Sequence, residues 1–140
     1  MNETMEKFVT SFFDMTRNKD IAALDNCIAD TVIMHTPRFF KPITNKEHVK
    51  AALRGFMSLV EGLNYADQRH WVNGNDVIFE FRGNLGKIEL HGVDIFTIND
   101  DGKISELSVM IRPESALQAI GETEDKLVMQ LLAQKKAQQG

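Results

Sequence analysis

Cysteine is almost absent from this chain of 140 residues, which contains one, Cys27. A single cysteine cannot form an internal disulfide, so the small disulfide-stapled folds of secreted proteins are excluded. The first residues also lack the basic start, apolar run and small-residue cleavage site of a signal peptide. We therefore expect the protein to work in the cytoplasm.

An excess of basic charge is missing as well. The chain has 16 basic and 20 acidic residues, a formal net charge of −4. Surfaces that bind a phosphate backbone or an anionic membrane need a positive patch, and bilayer spans need long apolar runs that this sequence lacks. We expect neither nucleic acid nor a membrane as a partner.

Sequence motifs for metals, phosphates and activated nucleophiles are lacking too. The four histidines show no i,i+4 pair and no carboxylate or cysteine at ligand spacing. No Gly-x-Ser-x-Gly elbow occurs, and the glycines at 83 and 86 flank a hairpin turn with no following helix. The sequence predicts no metal site and no cofactor.

Hydroxylated aromatic residues are scarce, with one tyrosine and one tryptophan against nine phenylalanines and seven methionines. Phenylalanine and methionine fill apolar volume without adding a polar group. This composition predicts a densely apolar core, and it is also typical of a hydrophobic ligand pocket.

Helical periodicity in the first part of the chain gives way to strand-type alternation after residue 62. This order predicts a single α+β domain over 1–140, with 123–140 as a C-terminal helix and frayed tail. The predicted elements are helices at 4–17 and from Asp20, a strand at 31–36, a helix at 45–60, strands at 65–72, 77–82, 88–98 and 104–111, and helices at 114–120 and 124–134.

Alternation along 88–98 puts Asp94 on the more apolar face of its strand, which we expect to point inward. A carboxyl group on such a face must find hydrogen-bond donors or keep its proton. Asp94 is therefore either a structural residue bonded to a neighbour or a pocket acid with a raised pKa.

The chain resembles the nuclear transport factor 2 (NTF2) fold, and within it the SnoaL-like proteins and ketosteroid isomerase. The motifs that carry the likeness are Asp20-Ile-Ala-Ala-Leu24, Ala29-Asp-Thr-Val32, Gly92-Val-Asp-Ile-Phe96, Asp100-Asp-Gly-Lys-Ile104 and Arg112-Pro113. The resemblance implies a cone, with N-terminal helices packed in the concave face of a curved, mostly antiparallel sheet. That fold hosts isomerases, cyclases and non-catalytic binding modules.

The resemblance also implies roles for individual residues. Asp94 matches the protonated aspartate of the oxyanion hole in ketosteroid isomerase. The catalytic base of that enzyme falls on Thr36, and its oxyanion-hole tyrosine falls on Phe12. Cyclases of the SnoaL type place an acid/base aspartate near the end of the last strand, where 109–112 contains no carboxylate. Neither catalytic set is complete in this chain.

His35 is a second candidate for catalysis. If the first strand is shifted by one residue or curls at Pro37, His35 rather than Thr36 points into the cone and can meet Asp94, and such a pair could perform acid–base chemistry. The alternative is a histidine at the rim of the cone.

The expected pocket walls are mainly aromatic and aliphatic. Alternation in 65–72 is mixed, so either Tyr65 and Trp71 or His70 and Val72 face the hollow. The predicted lining is Phe12, Thr36, Phe56, Trp71, Phe79, Phe81, Leu90, Leu107 and Val109.

The outward face of the sheet combines charged residues with an apolar patch larger than a monomer usually exposes. The patch and its rim consist of Ile78, Val93, Ile95, Ile104, Met110 and Arg112. We expect this face to form a homodimer. Alternatively, the C-terminal helix covers it through Leu127 and Leu131.

Three functions remain open. The protein binds a small hydrophobic molecule in the cone, or it is an isomerase- or cyclase-like enzyme that uses Asp94 on a small carbonyl or polyketide-like substrate. The third is a non-catalytic dimeric interaction module.

Overall fold

The structure, a computed structural model, describes residues 2–139, with the side chains at 127, 128, 131 and 139 outside that description. The helices are α1 (Glu3–Asn18), α2 (Ile21–Asn26), α3 (Lys46–Leu59) and α4 (Glu114–Gln139). The strands are β1 (Ile28–His35), β2 (Glu61–Asn64), β3 (His70–Asn73), β4 (Asp76–Leu85), β5 (Ile88–Ile98) and β6 (Ile104–Arg112).

One curved sheet contains all the described strands in the order β1-β6-β5-β4-β2, and β3 also pairs with β4. Every pairing is antiparallel except that of β1 with β6, which is parallel. The helices cover one face of this sheet, so the α+β cone predicted from the sequence is confirmed.

Short polar side chains begin the first three helices. Asn2, Asp20 and Asn45 each accept a hydrogen bond from a backbone amide in the first turn. These bonds satisfy donors that a helix leaves unpaired at its start. The predicted helix start at Asp20 is confirmed.

Phenylalanine side chains pack together between α1 and the sheet. The ring of Phe12 on α1 stacks on Phe79 of β4 at a centroid distance of 4.3 Å and meets Phe96 of β5 edge-on at 5.3 Å. Such pairs stabilise the core by about 0.5–1.5 kcal/mol beyond the burial of their surface. Most of the phenylalanine side chains therefore belong to the hydrophobic core.

The strand predicted over 65–72 is wrong. Two short strands, β2 and β3, pair separately with β4, and a turn separates them. Asn64 Oδ1 accepts a hydrogen bond from the Asp67 amide, and Tyr65 O accepts one from the Gln68 amide. The asparagine side chain competes with strand pairing here and begins a turn, which places Tyr65 just beyond β2.

The predicted outward position of Ile104 is also wrong. Ile98 pairs with Ile104, whereas Thr97 pairs with Glu106, so β6 contains one extra residue at this point. The bulge shifts the alternation of the strand and turns Ile104 inward, where it is fully buried.

The C-terminal segment forms one helix, α4, over 114–139. The predicted division into two helices is therefore wrong for the described residues, and the frayed tail from 134 stays a prediction. Gly121 lies between the two predicted helices, and a glycine inside a helix costs only about 1 kcal/mol relative to alanine. Buried Ala116 and Ile120 hold the first turns of α4 on the cone.

Candidate functional site

A cavity opens between α1, α3, α4 and the concave face of the sheet. Its volume is about 670 Å³ when the space at the open mouth is included. Its walls are mainly apolar, and its six polar or charged lining residues are Thr16, Thr36, Arg38, Tyr65, Asp94 and Glu124. This volume is suited to a small molecule.

Asp94 lies on β5 in the wall of this cavity and is 5% exposed. The Tyr65 hydroxyl donates a hydrogen bond of 2.5 Å to its Oδ2. Burial raises the pKa of Asp94 to about 7, and the hydrogen bond from Tyr65 opposes that rise. Burial and the neighbouring carboxylate both raise the pKa of Tyr65 well above 10, so the tyrosine stays a donor. A substantial fraction of Asp94 is thus protonated near neutral pH.

The second oxygen of Asp94, Oδ1, is not occupied by Tyr65. It has no hydrogen bond to any described residue, yet the described chain contains no fully enclosed side-chain nitrogen or oxygen without a partner. Oδ1 must therefore keep some accessible surface. When protonated, this carboxyl group can donate a hydrogen bond to an acceptor oxygen inside an apolar pocket.

The tyrosine of ketosteroid isomerase falls on Phe12, which has no hydroxyl group. In this chain Tyr65 brings a hydroxyl group to Asp94 instead. The two rings meet edge-on at 4.9 Å, so the tyrosine stands beside the position at which the relatives carry their own. Tyr65 is the single tyrosine of the chain, a signal that singled it out in the sequence. The orientation of Tyr65 was not predictable from the sequence, because residues 65–72 form a turn followed by a strand and do not alternate regularly.

A charged pair stands at the mouth of the cavity. Both terminal nitrogens of Arg38, in the loop after β1, donate to the two carboxylate oxygens of Asp125 on α4 at 2.8 Å. A Cβ atom at Gly121 would lie 2.7 Å from Arg38 Nε, so the glycine is what allows the arginine to cross α4. The loop after β1 is thus fastened to the helix.

Glu124, next to this pair, is an ionisable group that the sequence analysis did not identify. It lines the cavity, and burial raises its pKa to about 7 although Arg38 acts in the opposite direction. Its inward position was not predictable from the sequence, because α4 has weak apolar periodicity.

Only part of the predicted lining reaches the cavity. Phe12, Thr36, Phe56 and Val109 line it, as does Tyr65. Four other predicted residues are buried in the surrounding core without lining it: Phe79, Phe81, Leu90 and Leu107.

The placement of Trp71 in the pocket is wrong. Trp71 is 48% exposed and lies opposite Ile78 on the outer face of the sheet, with the Arg69 guanidinium 5.3 Å from its ring. His70 and Val72, the alternative pair, do not line the cavity either. The two-residue repeat of β3 fixes these orientations, and its register against β4 was not visible in the sequence.

The pairing of His35 with Asp94 is also wrong. β1 ends at His35, whose ring nitrogen Nε2 lies 2.7 Å from Glu106 Oε2, and its side chain is 41% exposed. Register with β6 turns His35 away from the cavity, and Thr36 is the neighbour that faces inward.

Within residues 2–139 no group of three histidine, cysteine or carboxylate side chains is arranged to hold a metal ion. Among the described helices, none combines the length and apolarity needed to cross a bilayer.

Comparison with known proteins identifies the family. The family model of the SnoaL-like domain matches residues 9–107. The chain belongs to the SnoaL-like family. The fold of this SnoaL-like chain is that of the NTF2-like superfamily, and no curated protein sequence is similar enough to count as a match.

Solved structures of other proteins are similar to this SnoaL-like chain over most of its length. A steroid delta-isomerase from Pseudomonas aeruginosa is 26% identical with a TM-score of 0.83, over 95% of this chain and 97% of that one. An uncharacterised protein from Silicibacter pomeroyi is 24% identical with a TM-score of 0.80, over 91% and 89%. An NTF2-like protein from Cytophaga hutchinsonii is 15% identical with a TM-score of 0.63, over 83% and 96%.

Proposed function

We propose that this SnoaL-like protein binds a small, mainly apolar molecule whose single polar group is a carbonyl or similar acceptor oxygen. The observation that carries the proposal is a buried Asp94 whose Oδ2 is occupied by Tyr65, while its Oδ1 has no hydrogen bond to a described residue. In the apolar cavity this carboxyl group is a buried donor available to a ligand. The apolar walls recognise shape, and Asp94 fixes orientation.

Ionisation of Asp94 sets the pH range of this binding. The protonated form donates a hydrogen bond to a carbonyl oxygen, whereas the carboxylate has no proton to donate. With a pKa of about 7, the donor form dominates in mildly acidic solution and is lost as the pH rises. Binding of a ketone should therefore weaken above neutral pH.

A matched pair of ligands tests this proposal. 1-Indanone and indane have the same bicyclic shape, but only the ketone has an oxygen. One hydrogen bond at this site should make 1-indanone bind about ten times more tightly at pH 5.5. Isothermal titration calorimetry or ligand-observed NMR would measure both affinities.

Variants of the two site residues complete the test. Asp94→Leu keeps the size of the side chain and should remove the preference for the ketone, while Asp101→Asn, in the exposed β5–β6 turn, should keep it. Tyr65→Phe should reduce the preference less, since Asp94 retains its own proton. Equal affinities for ketone and hydrocarbon in the unmodified protein would contradict the proposal.

A second candidate function is catalysis of proton transfer on such a ketone. It is favoured by the 26% identity to a steroid delta-isomerase over nearly the whole of both chains. Asp94, hydrogen-bonded to Tyr65, is suited to stabilise negative charge that develops on a carbonyl oxygen. Such a reaction also needs a base within the same cavity.

A further inference from the structure

We propose that a row of three basic side chains on the outer face of the sheet binds a phosphate group, either free or esterified. The row consists of Arg82 on β4, His91 on β5 and Arg112 on β6. It lies on the opposite side of the sheet from the cavity, and none of its residues lines that cavity. The site is therefore independent of the ketone binding proposed above.

Strand register places the three side chains next to one another. Arg82 pairs with His91, and His91 pairs with Arg112. Their chain neighbours Phe81 and Ile111 face the cone, so the two-residue alternation sends the basic residues outward. Since neighbouring strands lie about 4.8 Å apart, the backbones of the two arginines are about 10 Å apart, with the histidine between them. Two arginine side chains can converge on one anion across that distance.

His91 fixes the orientation of Arg112 through a hydrogen bond. Arg112 Nε donates to His91 Nδ1 at 2.9 Å, and this nitrogen must be the acceptor because a guanidinium group can only donate. The ring proton is then on Nε2, which donates to Glu80 Oε2 at 2.8 Å. The bond uses Nε of Arg112 and leaves its two terminal nitrogens available.

The carboxylate that His91 contacts, Glu80, is already occupied. Arg69 donates to both of its oxygens and adds a bond from its backbone amide, and His91 supplies a further bond. The side chain of Glu80 is 6% exposed. Within the described residues, neither Arg82 nor the terminal nitrogens of Arg112 form a hydrogen bond or an ion pair. Two positive charges on this face thus remain for an external anion, although the whole chain has a net charge of −4.

A surface groove surrounds the row and gives an anion a place to bind. Its volume is about 960 Å³ when the open space above it is included. The side-chain amides of Gln68 and Asn84 also line it, and neither forms a hydrogen bond with a described residue. Amide groups can bind hydroxyl groups of a molecule that carries the phosphate.

One carboxylate, Glu89, lines the same groove and opposes the binding of an anion. Glu89 lies on the outer face of β5, two residues before His91, and its register partner on β4 is Asn84 rather than Arg82. It forms no ion pair with a described arginine, so it does not neutralise the row. Its removal should strengthen anion binding at this site.

A phosphate group suits the row better than a carboxylate does. Guanidinium groups donate pairs of parallel hydrogen bonds to phosphate oxygens. A phosphate monoester has three terminal acceptor oxygens and a charge of about −1.5 to −2 at neutral pH, which matches two arginines. One carboxylate has two oxygens and a single charge, and it can satisfy one arginine fully.

Titration with inorganic phosphate, glucose 6-phosphate and acetate tests the site. Isothermal titration calorimetry at low ionic strength would measure the affinities, because salt screens exposed charges. Both phosphates should bind with a Kd of about 1 mM or lower, and acetate should bind about ten times more weakly. Tighter binding of glucose 6-phosphate than of inorganic phosphate would assign the site to phosphate esters, and equal binding would assign it to free phosphate.

Variants of the row locate the binding. Arg82→Gln and Arg112→Gln should each weaken phosphate binding about tenfold, and Glu89→Gln should strengthen it about threefold. Lys87→Gln is the matched control, because Lys87 is exposed in the β4–β5 turn and its loss changes the net charge equally. It should change the affinity less than about twofold. Arg82 bonds to no described residue, so Arg82→Gln provides the test if Arg112→Gln does not fold.

Two results would overturn the assignment. One is the absence of saturable binding of either phosphate up to about 10 mM. The other is an equal loss of affinity in Arg82→Gln and Lys87→Gln, which would mean that general positive charge, rather than the row, attracts the anion. Phosphate should leave the affinity for 1-indanone unchanged, so failure of this site and failure of the ketone site are observed separately.

Discussion

Asp94 is an acid that the fold places beside one hydroxyl group, and this pair determines how the site responds to pH. In the folded protein the pKa of Asp94 is about 7, whereas in the unfolded chain it is close to 3.8. Between these values the folded state holds a proton that the unfolded state has released. By linkage, the free energy of unfolding must fall as the pH rises through this interval.

The substitution Asp94→Asn should remove that pH dependence. Asparagine keeps an acceptor for the Tyr65 hydroxyl and carries no charge, so it avoids a cost on the order of 4 kcal/mol that wild type incurs between pH 4 and pH 8. Urea denaturation at both pH values would show a much smaller drop in the variant, while the Asp101→Asn control would follow wild type. Glu124, with its raised pKa, contributes a remaining drop of the same sign. Parallel profiles for Asp94→Asn and wild type would contradict the raised pKa.

The inward position of Asp94 was predictable from the sequence because β5 alternates regularly over its whole length. The positions of Tyr65 and His35 were not, since each depends on where a strand ends and which partner sets its register. Pairing with β6 turns His35 outward, and a turn begun by Asn64 frees Tyr65 from the alternation. Both effects arise from contacts between segments that are distant in sequence or from local side-chain hydrogen bonds.

At the scale of elements, periodicity predicted the existence of most helices and strands but not the irregularities that shape the site. The bulge in β6 adds one residue and reverses the direction of Ile104, although nothing in the strand sequence marks it. Helix α4 continues through Gly121, although glycine has a low helix propensity. The fold favours continuation because buried residues of α4 and the Arg38–Asp125 pair hold the helix on the cone.

Gly121 and the Arg38–Asp125 pair should be energetically coupled. Gly121→Ala should favour the helix by about 1 kcal/mol, but its Cβ would contact Arg38 and displace the guanidinium from Asp125. Asp125→Asn should therefore lower the free energy of unfolding by about 1 kcal/mol in wild type and leave it almost unchanged in Gly121→Ala. Chemical denaturation of the four proteins in the double-mutant cycle gives the coupling.

Glu122→Gln is the control, since Glu122 is exposed and pairs with no described residue. Glu122→Gln should change the free energy of unfolding by the same amount with glycine or alanine at 121. If Asp125→Asn is equally destabilising with glycine or alanine at 121, the glycine does not position the arginine.

At the scale of the whole molecule, the helices cover the concave face of the sheet and the described chain leaves the outer face partly uncovered. Val93 pairs with Met110, and Ile78 pairs with Ile95 and with Trp71. Met110 is 54% exposed and Trp71 48%. Beside this apolar group, Glu80 is enclosed by bonds from Arg69 and His91, and Arg112 Nε donates to His91 Nδ1.

The homodimer expected from the sequence stays a prediction, with Ile104 removed from the contact surface and Trp71 added. An apolar centre with a paired polar border is typical of a two-fold interface. The alternative cover, through Leu127 and Leu131, involves side chains that lie outside the described residues.

Light scattering after size exclusion should give about twice the 15.9 kDa of the chain at micromolar concentration. Met110→Glu would place a charge in the centre of the contact and should yield monomers, whereas Gln118→Glu, an equal change of charge on exposed α4, should remain dimeric. Because Trp71 is the single tryptophan, dilution through the dissociation range should shift its fluorescence towards that of a solvated indole. A mass of one chain at tens of micromolar, with emission independent of concentration, would exclude this interface.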